Sequence, residues 1–191
     1  MPKNPTGFRM PTPMTITGRS SSITNAFVNA LIPVVFPTEA EVTEALAVLG
    51  MSSDDVRCAY CGDPYSEWDH LRSLVIDQKP TGYISELANL VPSCGKCNQS
   101  KGKKPWRQWI LSKAPRCPST RGITDLDIRI SRLESYEKWR KPLKMDFEAI
   151  VGRELWTQHW QNWKETLQQM RKSQEYADTL KQEILRHHGL I

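Results

Sequence analysis

The first 38 residues contain no aspartate or glutamate, and neither does the stretch from Cys94 to Arg116. The first stretch carries Lys3, Arg9 and Arg19; the second carries Lys96, Lys101, Lys103, Lys104, Arg107, Lys113 and Arg116. Basic stretches without acids cannot neutralise themselves. With a net charge of +5 and a pI of about 9.0, they favour a polyanionic partner. Long apolar runs are also missing: nothing approaches the ~18 residues of a membrane span. The most apolar early segment, Ile23 to Phe36, is interrupted by Asn25, Asn29 and Pro33. It has no charged region directly before it and no small-residue cleavage site after it, so no secretory signal is read. There are five cysteines, four in two Cys-x-x-Cys pairs and Cys117 left over. An odd thiol argues against a secreted disulfide scaffold and for a reducing compartment. These absences together lead us to expect a soluble cytoplasmic protein with no membrane partner.

At 191 residues the chain can bury one core or two small ones. Three regions are read: an N-terminal arm with helices over 1–55, a motif-bearing core over 56–105, and a helical region over 106–191. Residues 1–20 are rich in Pro, Thr and Gly and read as an irregular arm. Ser21 or Ser22 opens a short helix that runs through Leu31 before Pro33 ends it. Thr38-Glu-Ala-Glu41 is a capping box. It starts a helix with Val42, Ala45, Leu46 and Leu49 on one face, and Gly50 stops it. Trp68 to Val75 reads as a strand, Ala88 to Val91 as a shorter one, and Asp77 to Gly82 as the loop joining them. Gly95 to Lys101 reads as a helix. A turn of helix follows Pro105, and further helices are expected over Thr124–Lys141 and Phe147–His188. The last carries Leu155, Trp156, Trp160, Trp163, Leu167, Met170, Tyr176, Leu180, Ile184 and Leu185, a stripe for packing or for a partner helix. The fold class is therefore α+β, a small core flanked by helical regions on both sides.

The core holds an interrupted cluster. Cys58 and Cys61 come first, then Asp69-His70, then Asn89-Leu90, then Cys94, Cys97, Asn98 and Lys101. Two Cys-x-x-Cys pairs separated by 32 residues suit a structural zinc that pins the two ends of a hairpin. A redox dithiol is the alternative, and doubled pairs in a basic domain fit it poorly. Four thiolates close the coordination sphere, so such a zinc cannot activate water. On a helix over 95–101, Cys94, Cys97, Asn98 and Lys101 fall in one stripe. Asp69 and Asn98 offer oxygen donors of the kind that suit a hard cation such as Mg²⁺ or Mn²⁺. The His70 imidazole is suited to act as a base near neutral pH.

Cys-x-x-Cys, Asp-His, Asn-Leu and Cys-x-x-Cys-Asn-x-x-Lys-Gly together resemble the HNH (ββα-metal) nuclease family, over about residues 56–105. The resemblance implies a ββα-metal core and cleavage of DNA with one divalent cation, leaving 5′-phosphate and 3′-hydroxyl ends. It implies His70 as general base, Asp69 and Asn98 as ligands of the catalytic cation, and Asn89 as the residue that holds the His-bearing strand and loop. Lys101 sits where the family often has a basic residue near phosphate. Lys103, Lys104 and Arg107 continue the basic run and are further expected contacts to nucleic acid. Asn98 stands where many members have His, and Asp-His where others have His-His, a pattern that resembles the Asp/His/Asn branch. The expected function is a metal-dependent endonuclease of double-stranded DNA, a sequence-specific restriction enzyme in particular. The region 106–191 would supply DNA grip or a homodimer interface. The alternatives are a non-catalytic zinc module that binds nucleic acid and a homing or structure-specific nuclease.

Overall fold

A computed structural model describes residues 11–191, so the first part of the expected irregular arm lies outside the described residues. The fold is α+β. Its elements in chain order are α1 (Ser20–Asn29), α2 (Glu39–Val48), β1 (Glu67–His70), β2 (Val75–Ile76), β3 (Lys79–Pro80), β4 (Leu90–Ser93), α3 (Gly95–Lys101), α4 (Trp106–Ile110), α5 (Leu126–Trp139), α6 (Phe147–Val151) and α7 (Arg153–His187). They form two compact units. One comprises residues 28–151; the other joins the described residues up to 27 with residues 152–191.

Within the unit of residues 28–151, α2 starts where its sequence says it should. The Thr38 hydroxyl accepts from the Glu41 backbone at 3.3 Å, and the Glu41 carboxylate accepts from the Thr38 backbone at 2.9 Å. These bonds satisfy donors that a helix N-terminus otherwise leaves open. Helix α2 meets α5 through Arg140 to Glu41 and Trp139 Nε1 to Glu44, each 2.7 Å. Ala45 and Leu49 join Tyr60, Leu71, Val91, Trp109, Leu133 and Tyr136 in one core.

Strand β1 pairs antiparallel with β4, Glu67 opposite Ser93 and His70 opposite Leu90. The strand expected from Trp68 to Val75 is split in two. The physical cause is the Asn89 side chain: its oxygen takes the Arg72 N–H at 2.8 Å, directly after the Leu71 N–H makes the last cross-strand bond, to the Asn89 carbonyl, at 2.8 Å. The backbone therefore leaves the ladder just after His70. Val75–Ile76 pairs instead with Lys79–Pro80, turning through Asp77 and Gln78 at φ of 50° and 63°, the left-handed pair that a two-residue hairpin loop requires. The second expected strand is shifted as well. Leu87–Asn89 make a single 3-10 turn, and β4 runs on through Pro92. A two-stranded sheet has only edge strands, where proline is tolerated. Tyr136 of α5 is fully buried, and its hydroxyl lies 2.7 Å from the Leu87 carbonyl and 3.0 Å from that of Leu90. It braces the turn that presents Asn89.

The helix expected to run unbroken from Phe147 to His188 is interrupted at Gly152, whose φ of 85° is a conformation few other residues adopt. In the unit containing α7, Phe27, Thr24 and Ile16 meet His159, Trp163 and Gln174 in turn. The hydrogen bonds are 3.1 Å (His159 Nε2 with the Phe27 carbonyl), 3.1 Å (Trp163 Nε1 to Thr24) and 2.7 Å (Ile16 N–H to Gln174). The N-terminal segment thus runs antiparallel along α7. Trp156, Trp160 and Trp163 stack edge-to-face at 5.6 and 6.0 Å, while Leu180 and Ile184 further along are exposed. Among the described residues no helix is long and apolar enough to cross a membrane.

Replacing Tyr136 by Phe takes one donor from the Leu87 carbonyl, which keeps the Leu90 N–H, and one from the partly buried Leu90 carbonyl. The expected cost is about 1–2 kcal/mol of stability, read as a lower urea midpoint with an unchanged slope.

Candidate active site and metal centre

Cys58, Cys61, Cys94 and Cys97 are buried, and their sulfurs all lie within 4.8 Å of one another. A tetrahedron of Zn–S bonds of about 2.3 Å places its sulfurs about 3.8 Å apart; Cys61 and Cys94 are at 3.7 Å. The first pair sits in a tight knuckle in which the Gly62 N–H returns to the Cys58 carbonyl at 2.8 Å. The second pair opens α3, with Cys94 at its N-terminal boundary and Cys97 inside it. Hydrogen bonds from Cys61 and Cys97 pull the Cys58 thiol well below its usual value, while the same crowding pushes Cys97 upward. Four thiols this close cannot all ionise unless a cation sits among them, so the donor set fits zinc. Arg121 adds positive charge at the rim: one guanidinium nitrogen lies 3.6 Å from Cys97 Sγ and the other 2.6 Å from Asp63.

Alternation along β1 sends Glu67 and Asp69 to one face, and Trp68 and His70 to the other. Helix α3 packs on the first face. Asp69 is 5% exposed and Lys101 0%. The Lys101 ammonium lies 3.0 Å from Asp69 Oδ2 and 3.2 Å from Oδ1, and donates at 2.7 Å to the His70 carbonyl. The Tyr60 hydroxyl, inside the first Cys-x-x-Cys, donates to Asp69 at 2.6 Å. Burial pushes the Asp69 carboxyl up, against the opposing pull of Lys101 and Tyr60, and burial pushes the Lys101 ammonium down.

His70 ends the strand. Its Nε2 lies 3.0 Å from Ser85 Oγ. Ser85 is itself fixed by the Pro33–Val35 segment, its N–H on the Pro33 carbonyl at 3.0 Å and its carbonyl accepting from Val35 at 2.9 Å. Burial first, and the nearby Lys101 charge second, lower the imidazole pKa to about 4. His70 is thus neutral at pH 7. Asn89 is fully buried, and its amide grips Arg72 at both ends, Oδ1 to the N–H at 2.8 Å and Nδ2 to the carbonyl at 3.0 Å. Asn98 projects from α3, with its Nδ2 2.5 Å from Glu67 Oε2.

The structure therefore carries Asp69, His70, Asn89 and Asn98 on one ββα element, with Asp69 and Asn98, the expected ligands of one cation, each engaged by other residues. Asn98 bonds to Glu67, and Asp69 to Tyr60 and Lys101. A carboxylate has about four acceptor positions, so Asp69 retains acceptor capacity beyond these bonds. Lys101 does not lie at the surface as a phosphate contact: it is fully buried and its ammonium is engaged by Asp69 and the His70 carbonyl. The other basic candidates are exposed. Lys103 pairs with Asp77 at 2.9 Å, Lys104 donates to the Ser100 carbonyl at 2.7 Å, and Arg107 pairs with Glu134. Sequence reading missed Glu67, Tyr60 and Ser85. Glu67 had a usable signal, two residues before Asp69 and so on the same strand face. Tyr60 had a weak one, its place inside a metal knuckle. Ser85 had none, since only the folded loop brings it to His70.

The class follows from a comparison of families. Residues 58–104 match the model of the HNH endonuclease family, so the chain carries an HNH endonuclease domain over the ββα element and its cysteine cluster. Among individual proteins, 57 residues are 40% identical to the CRISPR-associated endonuclease Cas9 of Corynebacterium diphtheriae, covering 28% of this chain and 5% of that protein. The chain thus spans a small fraction of that relative's length. No solved structure matches the chain.

Cys94→Ser should lose bound zinc and cooperative folding of the unit of residues 28–151 together; elemental analysis beside near-ultraviolet circular dichroism reads both. Lys101→Met strands the Asp69 carboxylate in the core and should cost about 3–5 kcal/mol. Adding Asp69→Asn should restore part of that loss, measured by urea unfolding of the zinc-loaded proteins.

Proposed function

We propose that this protein is a divalent-metal-dependent DNA endonuclease, and in particular a sequence-specific enzyme of the restriction type. The observation that carries the reading is His70: a neutral, oriented imidazole at the end of the strand that also bears Asp69, packed on the helix that bears Asn98. The matched family and the name of the Cas9 relative support the same chemistry.

Asp69 and Asn98 are the residues that would hold Mg²⁺ or Mn²⁺, since both present hard oxygen donors. Bound there, the cation would stabilise charge on the phosphate and on the leaving oxygen. His70 does the proton chemistry. With its proton on Nε2, directed at Ser85 Oγ, Nδ1 keeps its lone pair and accepts a proton from the attacking water. Ser85 holds the ring's orientation and its hydroxyl can accept from the Nε2 proton, and Asn89 keeps the backbone after His70 out of the ladder so that the ring stands at a strand end. Lys103, Lys104 and Arg107 are exposed and supply charge for the phosphate backbone. A palindromic duplex target would call for a two-fold dimer, and the region 106–191 is our candidate for DNA grip or that contact.

The test is Mg²⁺-dependent cleavage of a panel of plasmid and phage DNA by zinc-loaded protein, beside His70→Ala. Discrete bands that the variant loses at least a hundredfold are the expected result. A smear lost in the variant would keep the nuclease and remove the restriction assignment. DNA binding without cleavage under any divalent ion would instead point to the zinc-binding module without catalysis.

A further inference from the structure

Two polar rungs join β1 to α3. One, Asp69 to Lys101, is buried and holds the strand. The other, Glu67 to Asn98, has a chemical consequence for the amide. Glu67 Oε2 is 2.5 Å from Asn98 Nδ2. An ionised carboxylate only accepts hydrogen bonds, so the nitrogen end of the amide must face it. The oxygen end is then turned away from Glu67 and remains the group's free acceptor end.

The position of Glu67 is itself constrained. Its backbone is in register with Ser93, immediately before the second Cys-x-x-Cys. Gly95 leaves the space the carboxylate occupies: a Cβ there would stand 2.8 Å from Glu67 Oε1. Gly95 has no positive φ; its missing side chain lets the Glu67 carboxylate tip stand where it does, and a Cβ would make that tip move.

We infer that Glu67 is a positioning residue that locks the Asn98 amide with its oxygen presented to a divalent cation. This rests on the proposed role of Asn98 as a cation ligand. A neutral amide without such a partner can offer either end by rotating about its last side-chain bond. With Glu67 in place, only the oxygen is offered. Residues that orient a metal ligand typically change metal affinity ten- to a hundredfold when removed.

The pair can be read without any added metal. In zinc-loaded protein labelled with ¹⁵N-asparagine, one Asn98 side-chain proton should be shifted downfield and slow to exchange; Glu67→Ala should abolish this, and Glu67→Gln, which keeps an acceptor oxygen but loses the charge, should reduce it. Free Mn²⁺ is then followed by electron paramagnetic resonance in titrations of Glu67→Gln, Gly95→Ala and Asn98→Ala, each checked for full zinc content. Glu67→Gln should raise the Mn²⁺ half-saturation about tenfold. Gly95→Ala, which displaces the carboxylate tip, should do the same. In cleavage assays the maximal rate should fall less than the Mn²⁺ midpoint rises. Adding Glu67→Gln to Asn98→Ala should change nothing further. Unchanged half-saturation in both Glu67→Gln and Gly95→Ala, with Asn98→Ala weakened, would overturn the inference while leaving Asn98 a ligand. Unchanged half-saturation in Asn98→Ala would remove Asn98 from the cation site, and the role of Glu67 with it.

Discussion

Four thiols gathered within 4.8 Å are the constraint on which the rest of the site depends. The elements around them are short: β1 and β4 have four residues each and α3 has seven. A two-stranded ribbon and a two-turn helix have little stability of their own in water. The cysteine pairs tie together segments 33 residues apart at Cys61 and Cys94, and the site residues hang directly from those ties. Tyr60 lies between Cys58 and Cys61 and reaches Asp69. Asn98 follows Cys97 on the same helix. A metal that closes the cluster therefore also sets where the candidate cation ligands stand.

Neighbouring residues on β1 are driven to different electrostatic states by their surroundings. Asp69 is surrounded by donors, Tyr60 on one oxygen and Lys101 on both. His70 is desolvated beside the Lys101 charge and is held in its neutral form. The same lysine thus serves both residues, as ion partner to one and, through the His70 carbonyl, as a backbone clamp for the other. A buried pair of this kind contributes little net stability, because desolvation offsets the attraction. Its use here is register: it holds β1 against α3 at one fixed step, with Glu67 and Asn98 as the adjoining rung.

The HNH domain accounts for residues 58–104, yet the surrounding chain takes part in building the site. The Pro33–Val35 segment anchors Ser85, which orients His70. Tyr136 of α5 braces the turn carrying Asn89, and Arg121 lies against Cys97. Helices α2 and α5 pack on the core that contains the cysteines. The ββα element is thus the centre of a unit that runs from residue 28 to 151.

The amino-acid sequence by itself determined the α+β class, the four-cysteine donor set, the capping box of α2 and the span of α3, and it marked Asp69, His70, Asn89 and Asn98 as candidates. These are local matters: spacing, propensity and capping chemistry act between residues a few positions apart, and paired Cys-x-x-Cys motifs are specific enough to read across a gap. Only the tertiary structure decided that the expected strand from Trp68 to Val75 breaks after His70, because the Asn89 side chain that takes the Arg72 N–H comes from 17 residues away. It placed Lys101 in the core rather than at the surface, because whether a lysine is buried depends on finding a carboxylate on another element. It also decided that Asn98 meets Glu67 and that Ser85 meets His70. Those pairings are set by how helix, strand and loop stack on one another, and no periodicity along the chain encodes that distance.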